Sequence, residues 1–168
     1  QAALGPRTEP VAACLSEVAY SWKQERQFDQ AEANYRAALN IRAEIANALG
    51  VTKNLAAASA VAETLASLGE MYRDQRKFDD AIDALERSLT LRLQHANERP
   101  TAVATANQSI ASFLSYRGRT DRAHPHDVAR AGVLFDEAIA ILKPIVDNRH
   151  PFLSATRNKL GVYYNNQN

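Results

Sequence analysis

Cysteine is almost absent from this sequence: Cys14 is the only one among 168 residues. No disulfide can therefore form within the chain. This favours a reducing compartment and predicts a cytoplasmic location, although an exported protein with little cysteine would show the same count. Cys14 has no histidine near it in the sequence, so we predict a small core residue and not a catalytic nucleophile.

An excess of charge of one sign is also missing. Lysine and arginine number 20 and aspartate and glutamate 19, which leaves a formal charge of +1. Such a balance creates no long-range field that would attract a phosphate backbone or an anionic lipid surface. The composition therefore predicts that neither nucleic acid nor membrane is a partner.

Long apolar runs are lacking as well. No stretch reaches the roughly 18 uncharged apolar residues that a membrane-spanning helix needs. The first six residues, QAALGP, do not have the layout of a signal peptide. They also lack an initiator methionine, so we expect the sequence to be a fragment of a longer protein.

Signatures of catalysis and of cofactor binding are missing. The sequence contains no glycine-rich phosphate loop, no HExxH and no GxSxG, so we predict that it is not an enzyme and binds no cofactor. One cluster within seven residues offers imidazole and carboxylate groups to a metal: Asp121, His124, His126 and Asp127. Pro125 and the polar context favour a surface loop there, and we predict no metal site.

What the sequence does contain is an internal repeat. Residues 15–42 align with residues 65–92 without a gap, at an offset of 65 − 15 = 50. A key apolar position recurs in four copies and is followed each time by a small residue. The identical pairs of the first two copies are Leu15/Leu65, Arg26/Arg76, Phe28/Phe78, Asp29/Asp79, Ala31/Ala81, Leu39/Leu89 and Arg42/Arg92, and the apolar-small pairs are Val18-Ala19, Leu68-Gly69, Ile110-Ala111 and Leu160-Gly161.

The spacing of these residues by three, four and seven predicts helices throughout and no strand. Pro100 and Pro151 suit the first turn of a helix, where a missing N–H is tolerated. Pro144 lies inside an apolar helical run and predicts that the sixth helix kinks or ends there. We predict an all-α fold of about seven helices, at roughly 10–25, 29–48, 55–75, 79–97, 101–117, 127–147 and 151–166.

Bulky residues alternate with small ones along the inner face of the predicted helix pairs. Small residues recur at Ala31, Ala81 and Ala131, and a second small set follows seven residues later. Helical periodicity favours a packed core over a ligand box. The bulky residues predicted for this core are Trp22, Phe28, Tyr35, Tyr72, Phe78, Leu85 and Phe135.

This pattern of small and large positions resembles the tetratricopeptide repeat. The long unit, the arginine that ends each second helix and the segment Asn148-Arg149-His150-Pro151 resemble the longer repeats of kinesin light chains and their bacterial relatives. The resemblance implies one α-solenoid of antiparallel helix pairs, a right-handed superhelix over residues 1–168. Its repeats would cover residues 11–48, 55–97 and 101–147 with an inserted loop at 119–127, and a fourth repeat would supply only its first helix, at 151–166.

The resemblance also implies a function, which is to bind a protein or peptide along the concave face lined by the first helix of each pair. Asn158 matches an asparagine that contacts bound peptide in the kinesin-light-chain pattern. Amide side chains can serve both N–H and C=O groups of an extended peptide. The residues predicted to line this face are Tyr20, Lys23, Gln24, Glu70, Arg73, Asp74, Gln108, Ser112, Tyr116, Asn158, Lys159 and Asn165.

Other functions remain open at this stage. The positions that grip a terminal carboxylate in co-chaperone members of the family are here Ser16, Tyr20, Glu63, Ser67 and Ser109, which disfavours that type of partner. The array could instead regulate an effector domain of a larger signalling protein or enzyme. It could also self-associate through the apolar flank of its last helix, around Val162 and Tyr163.

Overall fold

The computed structural model describes residues 7–120, 124, 126–147 and 150–165, apart from the side chains of Tyr163 and Asn165. Within these residues the chain forms seven helices and no strand, as predicted. The helices are α1 (Glu9–Gln24), α2 (Phe28–Leu49), α3 (Leu55–Asp74), α4 (Phe78–Leu93), α5 (Pro100–Thr120), α6 (His126–Leu142) and α7 (Pro151–Asn165).

Two predicted helices end earlier than the sequence suggested. The fourth stops at Leu93 and gives way to turns instead of continuing to residue 97. The sixth stops at Leu142, two residues before Pro144, because proline has no N–H and its ring clashes with the preceding helical turn. Pro144 therefore ends this helix and does not kink it.

The chain divides into two compact units, Gln1–Gln94 and His95–Asn168. In unit 1 the helices pack in chain order: α1 against α2, α2 against α3, and α3 against α4. In unit 2, α5 packs against α6 and α6 against α7. Short turns such as residues 25–27 join the members of a pair and make them antiparallel neighbours.

The core of each unit is built where small residues let two helices approach. Ala31, Ala81 and Ala131 are fully buried, as is Ala138, and Ser88 is almost fully buried. Gly69 shows why such positions need a small residue, since a Cβ there would lie 2.9 Å from Cγ of Leu85. The predicted core residues Tyr35, Tyr72, Leu85 and Phe135 are buried.

Several core predictions are wrong. Trp22, Phe28 and Phe78 are only half-buried, and Leu160 is half-buried while Gly161 is exposed. Val18 is 40% exposed, although its counterpart Leu68 is buried. For Val18 the reason is its position in the unit: among the described residues α1 has α2 as its one closely packed helical neighbour, whereas α3 lies between α2 and α4.

Cys14 is also not a core residue, because it is exposed. The buried residues of α1 are Ala12 and Ala19, which are seven apart and lie on one face of the helix. Cys14 lies two residues from Ala12, which places it well away from that face. The prediction failed because composition cannot tell which side of α1 meets α2.

The turns inside the two pairs of unit 1 are the same. The N–H of Arg26 donates to the carbonyl of Lys23, and the N–H of Gln27 donates to the carbonyl of Trp22. The same two bonds recur 50 residues later, from Arg76 to Arg73 and from Lys77 to Tyr72 (76 − 26 = 50). Both arginines adopt left-handed backbone, with φ of 59° and 61°. This is the Schellman ending of a helix, with arginine where glycine is usual.

Arg42, one of the arginines singled out by the repeat, ties three helices together. Its guanidinium donates twice to Glu9 on α1, at 2.8 and 3.0 Å. It also donates to the hydroxyl of Ser16 on α1 at 3.1 Å and to that of Thr64 on α3 at 2.7 Å. A mostly buried cation on α2 is thereby hydrogen-bonded to both α1 and α3.

Candidate functional site

The site residues predicted in unit 1 lie toward the C-terminal ends of α1 and α3. Four of them form an ion cluster, which we define as Lys23, Glu70, Arg73 and Asp74. Nζ of Lys23 lies 3.3 Å from Oδ2 of Asp74 and so connects α1 to α3. Arg73 pairs with Glu70 at 2.7 Å and with Asp74 at 3.0 Å. The sequence therefore predicted residues that the fold does bring together.

The ion cluster is partly open to solvent. The side chain of Arg73 is 44% exposed, whereas that of Lys23 is only 14% exposed. Partial burial alone would raise the pKa of Asp74, but the hydrogen bond from Arg73 and the charge of Lys23 outweigh it and hold that pKa below its ordinary value. Asp74 is thus the carboxylate shared by both cations, and Arg73 is the cation that solvent reaches.

Tyr20 and Gln24 complete the predicted set in unit 1. Tyr20 is 53% exposed, and it lies three residues before Lys23 and four before Gln24, so the three share one face of α1. Gln24 is exposed as well. This face offers an aromatic ring, an amide and the neutral ion cluster side by side.

In unit 2 three of the predicted site residues are exposed, one is half-buried and one is buried. Tyr116, Asn158 and Lys159 are exposed, and half-buried Ser112 donates its hydroxyl to the carbonyl of Gln108. Gln108 was expected on the binding face but is buried, and its side-chain amide donates to Oγ1 of Thr156 at 3.0 Å. The amide of Gln108 therefore stabilises the contact between α5 and α7. The side chain of Asn165 lies outside the described residues.

In the segment that offered metal ligands, Asp127 has a cation on another helix as its partner. Oδ2 of Asp127 accepts a hydrogen bond from Nε of Arg117 at 2.5 Å, and both side chains are mostly buried. Asp127 is thus committed to an ion pair between α5 and α6. In the part of the chain that the structure describes, no group of three potential ligands comes together. Asp121 lies outside that part.

Sequence reasoning missed a polar network beside a pocket of unit 1. The hydroxyl of Tyr72 donates to Glu32 at 2.8 Å and accepts from Arg36 at 3.0 Å. Burial and the bond to Glu32 raise the pKa of Tyr72. Tyr72 was recognised only as a core aromatic, because its partners lie on another helix, 40 and 36 residues away.

The pocket itself has a volume of about 100 Å³ and lies between α2, α3 and α4. Apolar side chains and charges of both signs line it. A space of this size accommodates one side chain, not a cofactor. The residues that line it are Arg36, Leu39, Leu65, Leu68, Tyr72, Asp80, Asp83, Ala84 and Arg87.

None of the helices within the described residues combines the length and the apolar character required to cross a lipid bilayer.

Comparisons with known proteins support the repeat assignment. A family model described as the tetratricopeptide repeat matches residues 61–99, which take in most of α3 and all of α4. The fold resembles the crystal structure of BtubC (BKLC) from P. vanneervenii, with a TM-score of 0.72 and 23% sequence identity. The likeness covers 97% of this chain and 59% of that chain, so the present sequence spans little more than half of that protein's length. No curated protein matches the sequence.

At 23% identity this structural likeness concerns the fold alone. Tetratricopeptide repeats generally mediate contacts between proteins, and helical repeats of this kind typically serve as scaffolds. The predicted resemblance is confirmed by the match on α3 and α4 and by the helical architecture. The described part of the chain is therefore all-helical, its fold resembles that of a helical-repeat protein, and residues 61–99 match the tetratricopeptide-repeat family.

Proposed function

We propose that the chain is a protein–protein interaction module that holds an extended segment of a partner against its first helices. The observation that carries this proposal is the surface of α1 and α3, where exposed Tyr20 and Gln24 adjoin the ion cluster. Aromatic rings and arginines are the side chains that most often dominate the energy of binding between proteins. Tyr20 supplies apolar area with a hydroxyl at its edge, and Arg73 supplies a forked donor.

An ion pair inside the ion cluster can be replaced by an ion pair to a bound partner protein. Its two cations and two carboxylates sum to zero charge, so it exerts no net attraction at long range. A carboxylate on the partner would compete with Asp74 or Glu70 for the exposed guanidinium of Arg73. Specificity then comes from short-range polar contacts, and affinity from apolar side chains packed on Tyr20.

Unit 2 offers the same kinds of side chains on its own first helices. Tyr116 is exposed on α5, and Asn158 and Lys159 are exposed on α7. Asn158 is the residue that the family resemblance links to peptide contact. We infer that these three residues make a second set of partner contacts.

Binding can be tested before the natural partner is identified. A phage-displayed library of linear peptides is selected on the purified chain, and the strongest peptide is titrated against a Tyr20→Ser/Arg73→Gln variant. The matched control is Asp83→Asn/Arg87→Gln, which removes an exposed ion pair from α4. Circular dichroism verifies that all variants are folded.

We expect the peptide to lose roughly tenfold or more in affinity with the first variant and to bind the control unchanged. Equal binding to both variants would place the site elsewhere. A selection that yields no peptide would contradict capture of linear segments. Because the cluster is neutral, affinity should change little with salt, whereas a steep fall would point to phosphate-type contacts.

A further inference from the structure

The pocket of unit 1 lies on a different side of α3 from the ion cluster. Its residues on α3 are Leu65, Leu68 and Tyr72. At about 100° of rotation per residue, these three fall on one side of the helix. Glu70 and Asp74, the two carboxylates of the ion cluster, fall on the other side by the same count. The pocket is therefore separate from the proposed peptide site.

The apolar side chains that line the pocket are buried more deeply than the charged ones. Leu65, Leu68 and Ala84 are buried. Leu39 is half-buried, whereas the four charged residues of the lining are exposed. An apolar cavity of about 150 Å³ takes up benzene. A pocket of about 100 Å³ with this lining therefore suits one branched aliphatic side chain, such as that of leucine, better than an aromatic ring.

Charged residues of α2 and α4 line the same pocket, and three of the four have a partner within the fold. Nε of Arg36 donates to Oε1 of Glu32 at 2.8 Å, and Nη1 of Arg87 lies 3.6 Å from Oδ2 of Asp83. The carboxylate of Asp80 has no ion pair and no hydrogen bond to any residue that the structure describes. Asp80 is therefore available to a charged group of a ligand.

The charge around the pocket is distributed unevenly. Glu32 is matched by two cations, because the charge of Lys77 acts on it in addition to that of Arg36. Nζ of Lys77 lies 5.9 Å from the centroid of the Tyr72 ring. On α4, by contrast, two carboxylates and only one arginine line the pocket. A cationic group of a ligand is therefore favoured beside Asp80.

We propose that this pocket binds a segment of a partner protein that inserts one leucine-type side chain and places a lysine or arginine against Asp80. The aliphatic side chain buries apolar area next to Leu68 and Ala84, and this burial is the main source of affinity. The basic side chain forms an exposed ion pair, which contributes little affinity but fixes the register of the segment. This contact is additional to the proposed peptide site and does not require it.

The probe is the tripeptide acetyl-Lys-Leu-Lys-amide. It is titrated into the full chain, isotope-labelled at the methyl groups of leucine and alanine, and the methyl signals are followed by NMR. Two matched peptides separate the two features: acetyl-Lys-Ala-Lys-amide lacks the isobutyl group, and acetyl-Glu-Leu-Glu-amide has the opposite charge. Asp80→Asn removes the carboxylate, and its matched control is Asp79→Asn, an exposed neighbour that does not line the pocket. Circular dichroism verifies that both variants are folded.

We expect the methyl signals of Leu39 and Ala84 to shift saturably with acetyl-Lys-Leu-Lys-amide. The dissociation constant should rise roughly tenfold or more for the alanine peptide, because its missing apolar groups are no longer buried. Asp80→Asn should raise the constant by roughly two- to fivefold, which is the usual contribution of an exposed ion pair. Asp79→Asn should leave it unchanged.

The proposal would be overturned by the absence of these methyl shifts, by equal affinity for the acidic peptide, or by equal affinity of Asp80→Asn for the basic peptide. A shift of the same signals when the chain alone is concentrated would overturn it too, since a second copy would then occupy the pocket. Asp79 and Asp80 lie on α4, so this result is independent of the proposed peptide site on α1 and α3.

Discussion

Gly69 and Gly161 occupy the same position of the repeat in different surroundings. Alanine at Gly69 would collide with Leu85 and with the carbonyl of Ala81, whereas alanine at Gly161 meets open space. We expect Gly69→Ala to lower the free energy of unfolding by about 1 to 3 kcal/mol through overpacking. Gly161→Ala should raise it by about 0.5 to 1 kcal/mol, because alanine favours a helix. Urea denaturation of both variants checks the pair, and equal effects would contradict the difference in packing.

Arg42 bonds to α1 and α3 from a mostly buried position, so truncation leaves Thr64 and Glu9 without their partner. We expect Arg42→Ala to cost about 2 to 4 kcal/mol in unfolding free energy. Arg87 pairs with Asp83 at 3.6 Å on an exposed surface, so Arg87→Ala should cost less than about 0.5 kcal/mol. Thermal melts of the two variants give the comparison. Similar losses would show that Arg42 does not hold the helices together.

The hydrogen bonds of Glu32 predict that the stability of the protein falls at low pH. Partial burial raises its pKa, but the hydrogen bonds from Tyr72 and Arg36 outweigh that effect and hold the pKa below the ordinary 4.5. A folded-state pKa below the unfolded one stabilises the protein above about pH 4.5, and this contribution is lost as pH falls through the folded value. Glu32→Gln should therefore reduce stability at neutral pH and flatten its decline in acid.

Urea midpoints between neutral pH and about pH 3 measure that decline. The matched control is Asp83→Asn, which removes one carboxylate from an exposed position of α4. An acid decline in Glu32→Gln as steep as in the unmodified chain would exclude Glu32 as its source.

At the scale of the element, the left-handed arginines of the Schellman turns reduce the stability of the fold by a measurable amount. Arg76 holds a φ of 61°, which is unfavourable for a side chain with a Cβ and free for glycine. We expect Arg76→Gly to stabilise the fold by about 0.5 to 1 kcal/mol, after the greater freedom of glycine in the unfolded chain is counted. Glu25→Gly is the contrasting change, since Glu25 has an ordinary φ of −80° and should lose stability. Stabilisation by both would refute the role of backbone conformation.

The helices themselves followed from the sequence because a gapless repeat constrains spacing strongly. Small residues such as Ala81 had to be buried, since nothing larger allows the helices to approach. Burial at the ends of the units did not follow. Val18 and Gly161 have the same repeat positions as the buried residues Leu68 and Gly69, but in the described part of the chain no second helix packs against them. Periodicity defines a face but does not say whether another helix meets it.

The candidate site, like the fold, could be predicted from the sequence only in part. In the repeat, Lys23 corresponds to Arg73 and Gln24 to Asp74. The fold places Lys23 and Asp74 3.3 Å apart. Gln108 looked like a binding residue because polar side chains are usually exposed, and only the packing of α5 against α7 reveals its partner Thr156. The network of Tyr72 joins helices that the sequence separates widely.

At the scale of the whole molecule, the division into two units predicts that unit 1 folds alone. Its four helices surround their own cores, one around Ala12, Ala38 and Ile41 and one around Val61 and Leu65. We expect residues 1–94, expressed alone, to be helical and to unfold in one cooperative transition. Circular dichroism with heating tests this. A fragment that melts gradually, or has little helix, would show that unit 1 depends on residues 95–168.

The two identical Schellman turns also define how the length of this protein can change. A variant in which Arg26 is followed directly by Lys77 lacks 76 − 26 = 50 residues and keeps every backbone hydrogen bond of the turn. A variant in which Arg76 is followed by a second copy of residues 27–76 is longer by the same number. Recombination between these two points therefore removes or adds one complete helix pair in register, so the array can shorten or grow by whole steps.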